Sequence, residues 1–394
     1  MARLRDLASY DALVLTACIW FLAKFLRYAF PPLFGTLQST YGVSNAVVGS
    51  AFTALMLAYA AMQFPSGLLA DRVGGVRVVT AGAIVAAVAA LALSISLPFA
   101  ALVGVMVFVG LGTGAHKTVA VRLLSRVYPS RTGRALGVMD TFGAFGGVVA
   151  PAAVVWALAG GGPDWHVVFL GGGVVGLALA GLFQWRVPRR LPDEPDRDSG
   201  GGGASAYRAL FSDRWFLVFV AVTVLFSFTY NGAVAFLPLY LEEAAGLSPA
   251  TAGTLYSGLF LVSLVQVVTG DLSDRLGRLT VIGGTLALAT AGLALVVAVP
   301  ESPLPVVAAS VVAFGLGSHG FRPVRGAYLV ELIPESVAGG GLGVVRTALM
   351  GVGAVAPAVV GIVSDLAGFQ LAFAVLLASL AAGLALVGVL AVGQ

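Results

Sequence analysis

Long apolar segments recur from end to end of this 394-residue chain and limit the folds that it can adopt. A helix needs about 20 apolar residues to cross about 30 Å of hydrocarbon. Twelve segments reach that length, at residues 12–36, 44–70, 77–98, 100–125, 134–160, 165–186, 213–241, 249–270, 279–299, 304–330, 338–364 and 368–391. Only 10% of the residues are charged, whereas soluble proteins carry about 25%. The sequence therefore predicts an all-α polytopic membrane protein with twelve transmembrane helices.

The chain divides into two halves that repeat each other. Residues 188–212 contain prolines, mixed charge and four consecutive glycines, which is typical of a flexible linker. This linker separates an N-terminal six-helix bundle, 1–187, from a C-terminal six-helix bundle, 213–394. The sequence Gly-Leu-Gly at Gly110–Gly112 recurs at Gly315–Gly317, an offset of 205 residues. Parallel repeats of this kind occur in transporters that bind their substrate near the membrane midplane.

The basic residues predict an orientation in the membrane. With both termini placed in the cytoplasm, fifteen of the 22 Lys and Arg residues fall in cytoplasmic segments. The six external loops hold none, and the other seven lie within apolar segments. Since an excess of Lys and Arg marks cytoplasmic loops, we expect a multi-pass protein of the cell membrane with both termini cytoplasmic.

Charged side chains inside the apolar segments indicate the kind of cargo. A charge at the bilayer centre costs roughly 3 kcal/mol on insertion scales, so such residues usually face a polar cavity. Seven of them are basic, and one carboxylate, Asp140, lies comparably deep. This imbalance predicts a cavity for an anion. The basic residues are Lys24, Arg27, Lys117, Arg122, Arg322, Arg325 and Arg346.

Several of these residues have a plainer interpretation. Arg122 lies about five residues from the cytoplasmic end of its segment, where its side chain can snorkel to the interface, and Arg325 is similar. Asp140 either carries a coupling proton or forms a permanent ion pair with an intramembrane cation such as Arg122. His116 and His319 are either proton-sensitive groups or neutral packing residues.

Two loops carry a motif with a family resemblance. The loop after the second segment reads GLLADRVGGVR from Gly67, and its counterpart in the second half reads GDLSDRLGR from Gly270. The first resembles the signature loop G-x-L-a-D-r-x-G-r-r of the major facilitator superfamily. The resemblance extends to the two sets of six segments and the central linker, and so to essentially the whole chain. It implies a major facilitator fold, and a conformational gating role for the loop residues Gly67, Asp71, Arg72, Gly74 and Arg77, echoed by Asp274, Arg275 and Glu331.

One position departs from the family pattern. Many members place an acidic residue at the cytoplasmic end of the fourth helix, where this sequence has Arg126. The equivalent end of the tenth segment does carry an acid, Glu331. We therefore expect the cytoplasmic charge network to be more complete in the second half.

The family resemblance also implies which segments line the central cavity, namely the first, fourth, seventh and tenth. Lys117 and Arg322 are 205 residues apart, so they occupy equivalent positions in the two halves, where two cations can hold one anion. The predicted substrate contacts are Lys24, Arg27, Lys117, Arg322, Arg325, Arg346, Tyr230 and Asn231. The candidate proton-coupling residues are Asp140, His116 and His319.

The leading hypothesis is secondary transport of a small organic or inorganic anion by alternating access, coupled to H⁺, Na⁺ or a counter-substrate. The stretch FLAKFLRYAFPPLF, from Phe21 to Phe34, resembles the first helix of the organophosphate and anion:cation symporter branches, which implies a phosphate or carboxylate substrate. The alternative is drug or metabolite efflux by proton antiport, since residues 137–151 resemble the glycine-proline motif of such antiporters without its adjacent Gly-Pro pair. A sensor on the same scaffold is a third possibility.

Other functional classes lack sequence support. The chain has no GxxxxGK[ST] nucleotide-binding loop, no Cys/His metal cluster and no basic aromatic patch on a soluble domain. We therefore expect no enzymatic activity, no cofactor, no bound metal and no nucleic-acid partner. The single cysteine, Cys18, excludes an intrachain disulfide. The predicted partners are the lipid bilayer and a small anion, and the protein is expected to be a monomer.

Overall fold

A computed structural model describes residues 10–159, 164–191, 210, 212–333 and 338–393. Within these residues the regular secondary structure is helical. The α-helices, in chain order, are α1 (Asp11–Tyr28), α2 (Phe34–Tyr41), α3 (Asn45–Val73), α4 (Gly75–Ala92), α5 (Phe99–Gly114), α6 (His116–Val127), α7 (Thr132–Leu158), α8 (His166–Arg186), α9 (Arg214–Glu243), α10 (Pro249–Leu261), α11 (Val265–Leu276), α12 (Arg278–Ala298), α13 (Leu304–Leu332) and α14 (Ala338–Gly393). The prediction of an all-α membrane protein is confirmed at this level.

The number of spans differs from the prediction by one. Eleven stretches of the described residues are long and apolar enough to cross a membrane. The predicted segments 338–364 and 368–391 both lie in α14, which is 56 residues long. One crossing needs only about 20 residues. The helix is interrupted at Gly368, whose φ of 83° is non-helical, and this is where the sequence predicts a boundary between two segments.

The chain forms two compact units. The first unit contains residues 1–41 and 54–195, and the second contains residues 42–53 and 196–394. The predicted linker, 188–212, lies mostly outside the described residues, so its bounds stay a prediction.

In the first unit, α1 packs against α7 and α8, while α4 packs against α5 and α8. The start of α1 is fastened at two points. Arg190, in the 3-10 turn that follows α8, donates from Nε to the Asp11 carboxylate at 3.0 Å. The backbone N–H of Leu13 donates to the hydroxyl of Tyr128 at 3.4 Å. The helix that carries Lys24 and Arg27 is therefore held at its N-terminal end by the rest of the unit.

In the second unit, α9 packs against α14, and α12 packs against α13 and α14. Equivalent glycines have the same role in both units. A Cβ atom on Gly112 would lie 2.5 Å from the backbone nitrogen of Ala86, and one on Gly317 would lie 2.3 Å from that of Ala289. Only glycine allows helix backbones to approach so closely. The repeat predicted from the sequence is thus also a repeat of helix packing.

Candidate functional site

Three of the four intramembrane bases of the first unit lie around one aromatic ring. The Trp20 indole on α1 has Lys24 Nζ at 5.6 Å, Arg27 Cζ at 5.6 Å and Lys117 Nζ at 5.3 Å from its ring centroid. These are distances at which a cation is attracted to the electron-rich face of an aromatic ring. Lys24 and Lys117 are the only two lysines in the chain. We call this group, together with His116 and Asp140, the Trp20 cluster.

The predicted residues of this cluster do not all face open space. Arg27 is only 4% exposed, and its guanidinium carbon lies 3.7 Å from the ring centroid of Tyr59 on α3. Its Nε donates to the Ala23 carbonyl at 3.1 Å. The guanidinium is therefore engaged in packing between Trp20 and Tyr59. Its predicted contact with a substrate stays a prediction.

The Asp140 carboxylate on α7 forms an ion pair with Lys117 on α6. The sequence left open whether Asp140 is a proton carrier or part of an ion pair, and it suggested Arg122 as the partner. Lys117 takes that place instead. The Lys117 side chain is 15% exposed and that of Asp140 is 54% exposed, so the carboxylate is the accessible member of the pair.

His116 lies under the same indole. Its ring stacks on Trp20 with centroids 5.6 Å apart and planes 8° from parallel, and the residue is 2% exposed. Neither ring nitrogen of His116 has a hydrogen-bond partner of ordinary geometry among the described residues. His116 therefore supports the ring from a position next to Lys117 in the chain.

Arg122 does not belong to the Trp20 cluster. Its guanidinium donates to Asp71 at 2.5 Å and to the Gly67 carbonyl at 3.5 Å, so it binds the signature loop at the end of α3. The chain then turns at Gly74, whose φ of 92° favours glycine. Snorkelling, the plainer interpretation of Arg122, is replaced by a specific ion pair.

The second unit has a corresponding ion pair in which the acid and the base have exchanged places. Arg278, at the start of α12, donates to Glu331 on α13 at 2.7 Å. Here the acid lies on the longer helix and the base follows the turn at Gly277, whose φ is 89°. The expectation of a more complete network in the second half is therefore wrong for the described residues, because Arg122 supplies the first half with an interhelical pair of its own.

Two other predicted loop residues, Arg77 and Arg275, form contacts with residues one helical turn away in the chain. Arg77 donates to the Val73 carbonyl at 3.4 Å, and Arg275 pairs with Asp271 one helical turn away at 2.8 Å. Asp71 pairs with Arg122, and Asp274 is exposed.

A second basic cluster lies in the second unit. Arg322 on α13 has its guanidinium carbon 5.2 Å from the ring centroid of Tyr230 on α9, and Tyr230 packs edge-on against His319 at 5.7 Å. Arg325 lies 5.9 Å from the ring of Phe321. The buried Nε atoms of Arg325 and Arg346 have no hydrogen-bond partner among the described residues. We call the three predicted arginines of this unit, Arg322, Arg325 and Arg346, the Arg322 cluster.

The polar residues predicted from the seventh segment are structural in this conformation. The Asn231 amide donates to the Ser227 carbonyl of its own helix at 2.8 Å, and the Ser227 hydroxyl donates to the Leu349 carbonyl of α14 at 2.6 Å. Tyr230 is 5% exposed. Ser227 thus joins α9 to α14, and Tyr230 faces His319 on α13.

The sequence interpretation missed Trp20 and Tyr59. A signal for Trp20 was present, because Trp20, Lys24 and Arg27 follow the i, i+4, i+7 spacing that places residues on one helix face. No such signal exists for Tyr59, which reaches Arg27 from another helix. No group of three or more His, Cys, Asp or Glu residues within the described ranges could hold a metal ion.

Comparison with known proteins gives one family. The model of the Major Facilitator Superfamily matches residues 16–299 and 225–393 of the chain. The chain is 26% identical over 279 residues to the probable sulfoacetate transporter SauU of Cupriavidus necator, a match that covers 64% of this chain and 61% of that protein. It is also 26% identical over 350 residues to the gentisate transporter of Corynebacterium glutamicum, covering 82% of this chain and 75% of that protein.

The solved structures agree on the fold. A bacterial homolog of the human lysosomal transporter Spinster, in an inward-facing and unoccupied conformation, has a TM-score of 0.77 with this chain. The superposition covers 98% of this chain and 96% of that one at 17% sequence identity. A likeness at this identity concerns the architecture only.

Proposed function

Because this chain belongs to the Major Facilitator Superfamily, we propose that it is a secondary transporter of a small organic anion that works by alternating access. Transport rather than an enzymatic reaction agrees with the family and with the names of its relatives. Those names include sulfoacetate and gentisate, which are both small organic acids. The relatives support the class of cargo, and the identity of the anion is open.

The observation that carries this proposal is the Trp20 cluster. Its two ammonium groups lie in membrane-spanning helices, where each charge costs roughly 3 kcal/mol at the bilayer centre. Helices that served only as structure would not retain both. Lys24 and Lys117 are therefore the proposed primary contacts in the first unit, with Arg322 as the primary contact in the second. Arg325 and Arg346 act in support.

Asp140 has a proposed role as an internal competitor. Its carboxylate binds Lys117 when no substrate is present, so an entering carboxylate or sulfonate must displace it. The displaced Asp140 then lacks its counter-ion, and a cation that enters with the substrate restores one. Lys24, Arg27 and His116 lie around the same Trp20 ring as Lys117. Symport of the anion with a cation, H⁺ or Na⁺, follows from this exchange of partners.

The second candidate function is export of lipophilic cations or metabolites by proton antiport. One observation favours it, namely that Asp140 is the accessible member of its ion pair and could attract a cation. The surrounding charges oppose it, because two lysines and one arginine lie around the same indole. The anion proposal therefore fits the cluster better.

The thermal stability of the purified protein separates these candidates. The panel contains gentisate, sulfoacetate and the lipophilic cation tetraphenylphosphonium, each tested at low salt. A ligand at 100 times its dissociation constant stabilises the folded state by about 2.7 kcal/mol. We expect one of the two anions to raise the melting temperature of the wild type and to lose this effect in Lys117→Met and Arg322→Met.

The matched control is Arg189→Met. Arg189 also has its guanidinium near an aromatic ring, 4.8 Å from the Trp185 centroid, but it is exposed and outside both clusters. It should respond to the anion as the wild type does. Stabilisation by tetraphenylphosphonium that persists in Lys117→Met would replace the anion proposal with the export candidate.

A further inference from the structure

We infer that Trp20 is a positioning residue of the anion site. Its indole lies within 6 Å of the ammonium groups of both Lys24 and Lys117, and Gly143 leaves the space that the ring occupies. This inference rests on the proposed function, because that function gives the two lysines their role in anion binding. Neither Trp20 nor Gly143 contacts the cargo in this scheme.

The two lysines need such a positioning group. They come from different helices, α1 and α6, and each ammonium sits at the end of a flexible four-carbon stem. Lys117 is also held by the Asp140 carboxylate. The indole is the surface that both lysines share, with the ammonium groups 5.6 Å and 5.3 Å from its centroid. A single ring thus acts on the positions of both charges.

The placement of the ring shows that its face matters more than its N–H group. Trp20 is 4% exposed, and its Nε1 has no hydrogen-bond partner among the described residues. A buried tryptophan N–H usually has a partner, so an orientation that leaves it unpaired is set by other contacts. His116 stacks on the indole at 5.6 Å, and the cations lie around it.

Gly143 on α7 is the structural counterpart of Trp20. A Cβ atom at this position would lie 2.3 Å from Trp20 Nε1 and 2.4 Å from Trp20 Cδ1. Real Cβ contacts are essentially never so short. Any side chain at residue 143 would therefore move the indole, and the lysines with it. This contact explains why residue 143, which lies in the segment that resembles the antiporter motif, is a glycine.

Site-resolved amine modification tests the inference without any substrate. Acetic anhydride reacts with neutral amines and not with ammonium groups, and the only lysines of the chain are the two in question. Mass spectrometry separates their peptides from the N-terminal amine. In Trp20→Leu we expect both lysines to react about threefold faster or more at pH 8, because the charged form has lost the ring that stabilises it. Trp20→Phe, which keeps an aromatic face, should stay close to the wild type.

A glycine pair on the same helix supplies the control. Gly143→Ala should accelerate the modification of both lysines by displacing the indole. Gly137→Ala makes the same chemical change on α7 at a position where a Cβ meets nothing within 4 Å, and it should leave the rates unchanged. Equal rates in the two variants would overturn the role of Gly143.

A misfolded Trp20→Leu would also react faster, and fluorinated tryptophan separates this effect from the loss of the aromatic face. It keeps the shape of the indole and withdraws electron density from its face, so the modification rate should rise with the number of fluorine atoms. A flat series, together with wild-type rates in a folded Trp20→Leu, would overturn the inference. These measurements need no cargo. If the protein binds no anion, the proposed function is refuted, and the lysine rates still decide the role of Trp20.

Discussion

The ion pair between Lys117 and Asp140 leads to a quantitative prediction for Asp140→Asn. The change keeps the side-chain volume and removes the charge that competes with an anion for Lys117. Exposed ion pairs contribute about 0–1 kcal/mol, and breaking a buried pair costs about 3–5 kcal/mol. With Lys117 15% and Asp140 54% exposed, this pair lies between those classes and nearer the exposed one. We therefore assign it about 1.4 kcal/mol.

A free energy of 1.4 kcal/mol corresponds to a factor of ten in a binding constant. Asp140→Asn should therefore bind the anion that stabilises the wild type about tenfold more tightly.

Isothermal titration with gentisate and sulfoacetate at pH 7 measures this effect. Asp164→Asn is the matched control, because its carboxylate pairs with His166 at 2.7 Å and does not belong to the Trp20 cluster. It should behave like the wild type. If Asp140→Asn binds the anion no more tightly than the wild type, then Asp140 does not compete for Lys117 and the coupling scheme fails.

Three further predictions concern the frame that holds the clusters. Gly317→Ala places a Cβ 2.3 Å from the backbone nitrogen of Ala289 and should cost about 1–3 kcal/mol, seen as a lower melting temperature than the wild type. Gly277→Ala forces a residue with a side chain to φ of 89° and ψ of 144° and should cost about 1–3 kcal/mol in the same assay. A double-mutant cycle of Arg278→Ala and Glu331→Gln should give a coupling of at most about 1 kcal/mol, because both side chains are partly exposed, and a larger value would show a more buried pair.

Much of the architecture was predictable because membrane helices leave a strong signal. The apolar segments are long, and the repeated glycines recur at nearly constant offsets, so Gly112 and Gly317 could be matched before their contacts were known. The turns at Gly74 and Gly277 were also matched, and both have positive φ. The division of residues 338–393 was less clear, because helical hydrogen bonding continues on both sides of Gly368.

The contacts within the site were less predictable. The sequence shows that Asp140 lies deep, but its partner depends on how α6 and α7 pack, and Lys117 and Arg122 are both on α6. The contact of Arg27 with Tyr59 comes from another helix, so nothing near Arg27 in the sequence indicates it. The spacing of Trp20, Lys24 and Arg27 places Trp20 on the same helix face as the two bases, but its contact with Lys117 on α6 depends on how the helices pack.

The two contacts at the start of α1 have a consequence for local unfolding. Opening of a segment takes less free energy than unfolding of the whole domain. Here Asp11 and Leu13 join the first turn of α1 to Arg190 after α8 and to Tyr128 after α6. Local opening of this turn must therefore break an ion pair and a hydrogen bond to other parts of the unit. Trp20 and Lys24 lie on the same helix, so these two contacts add to the free energy of any opening that begins at its N-terminal end and reaches the site.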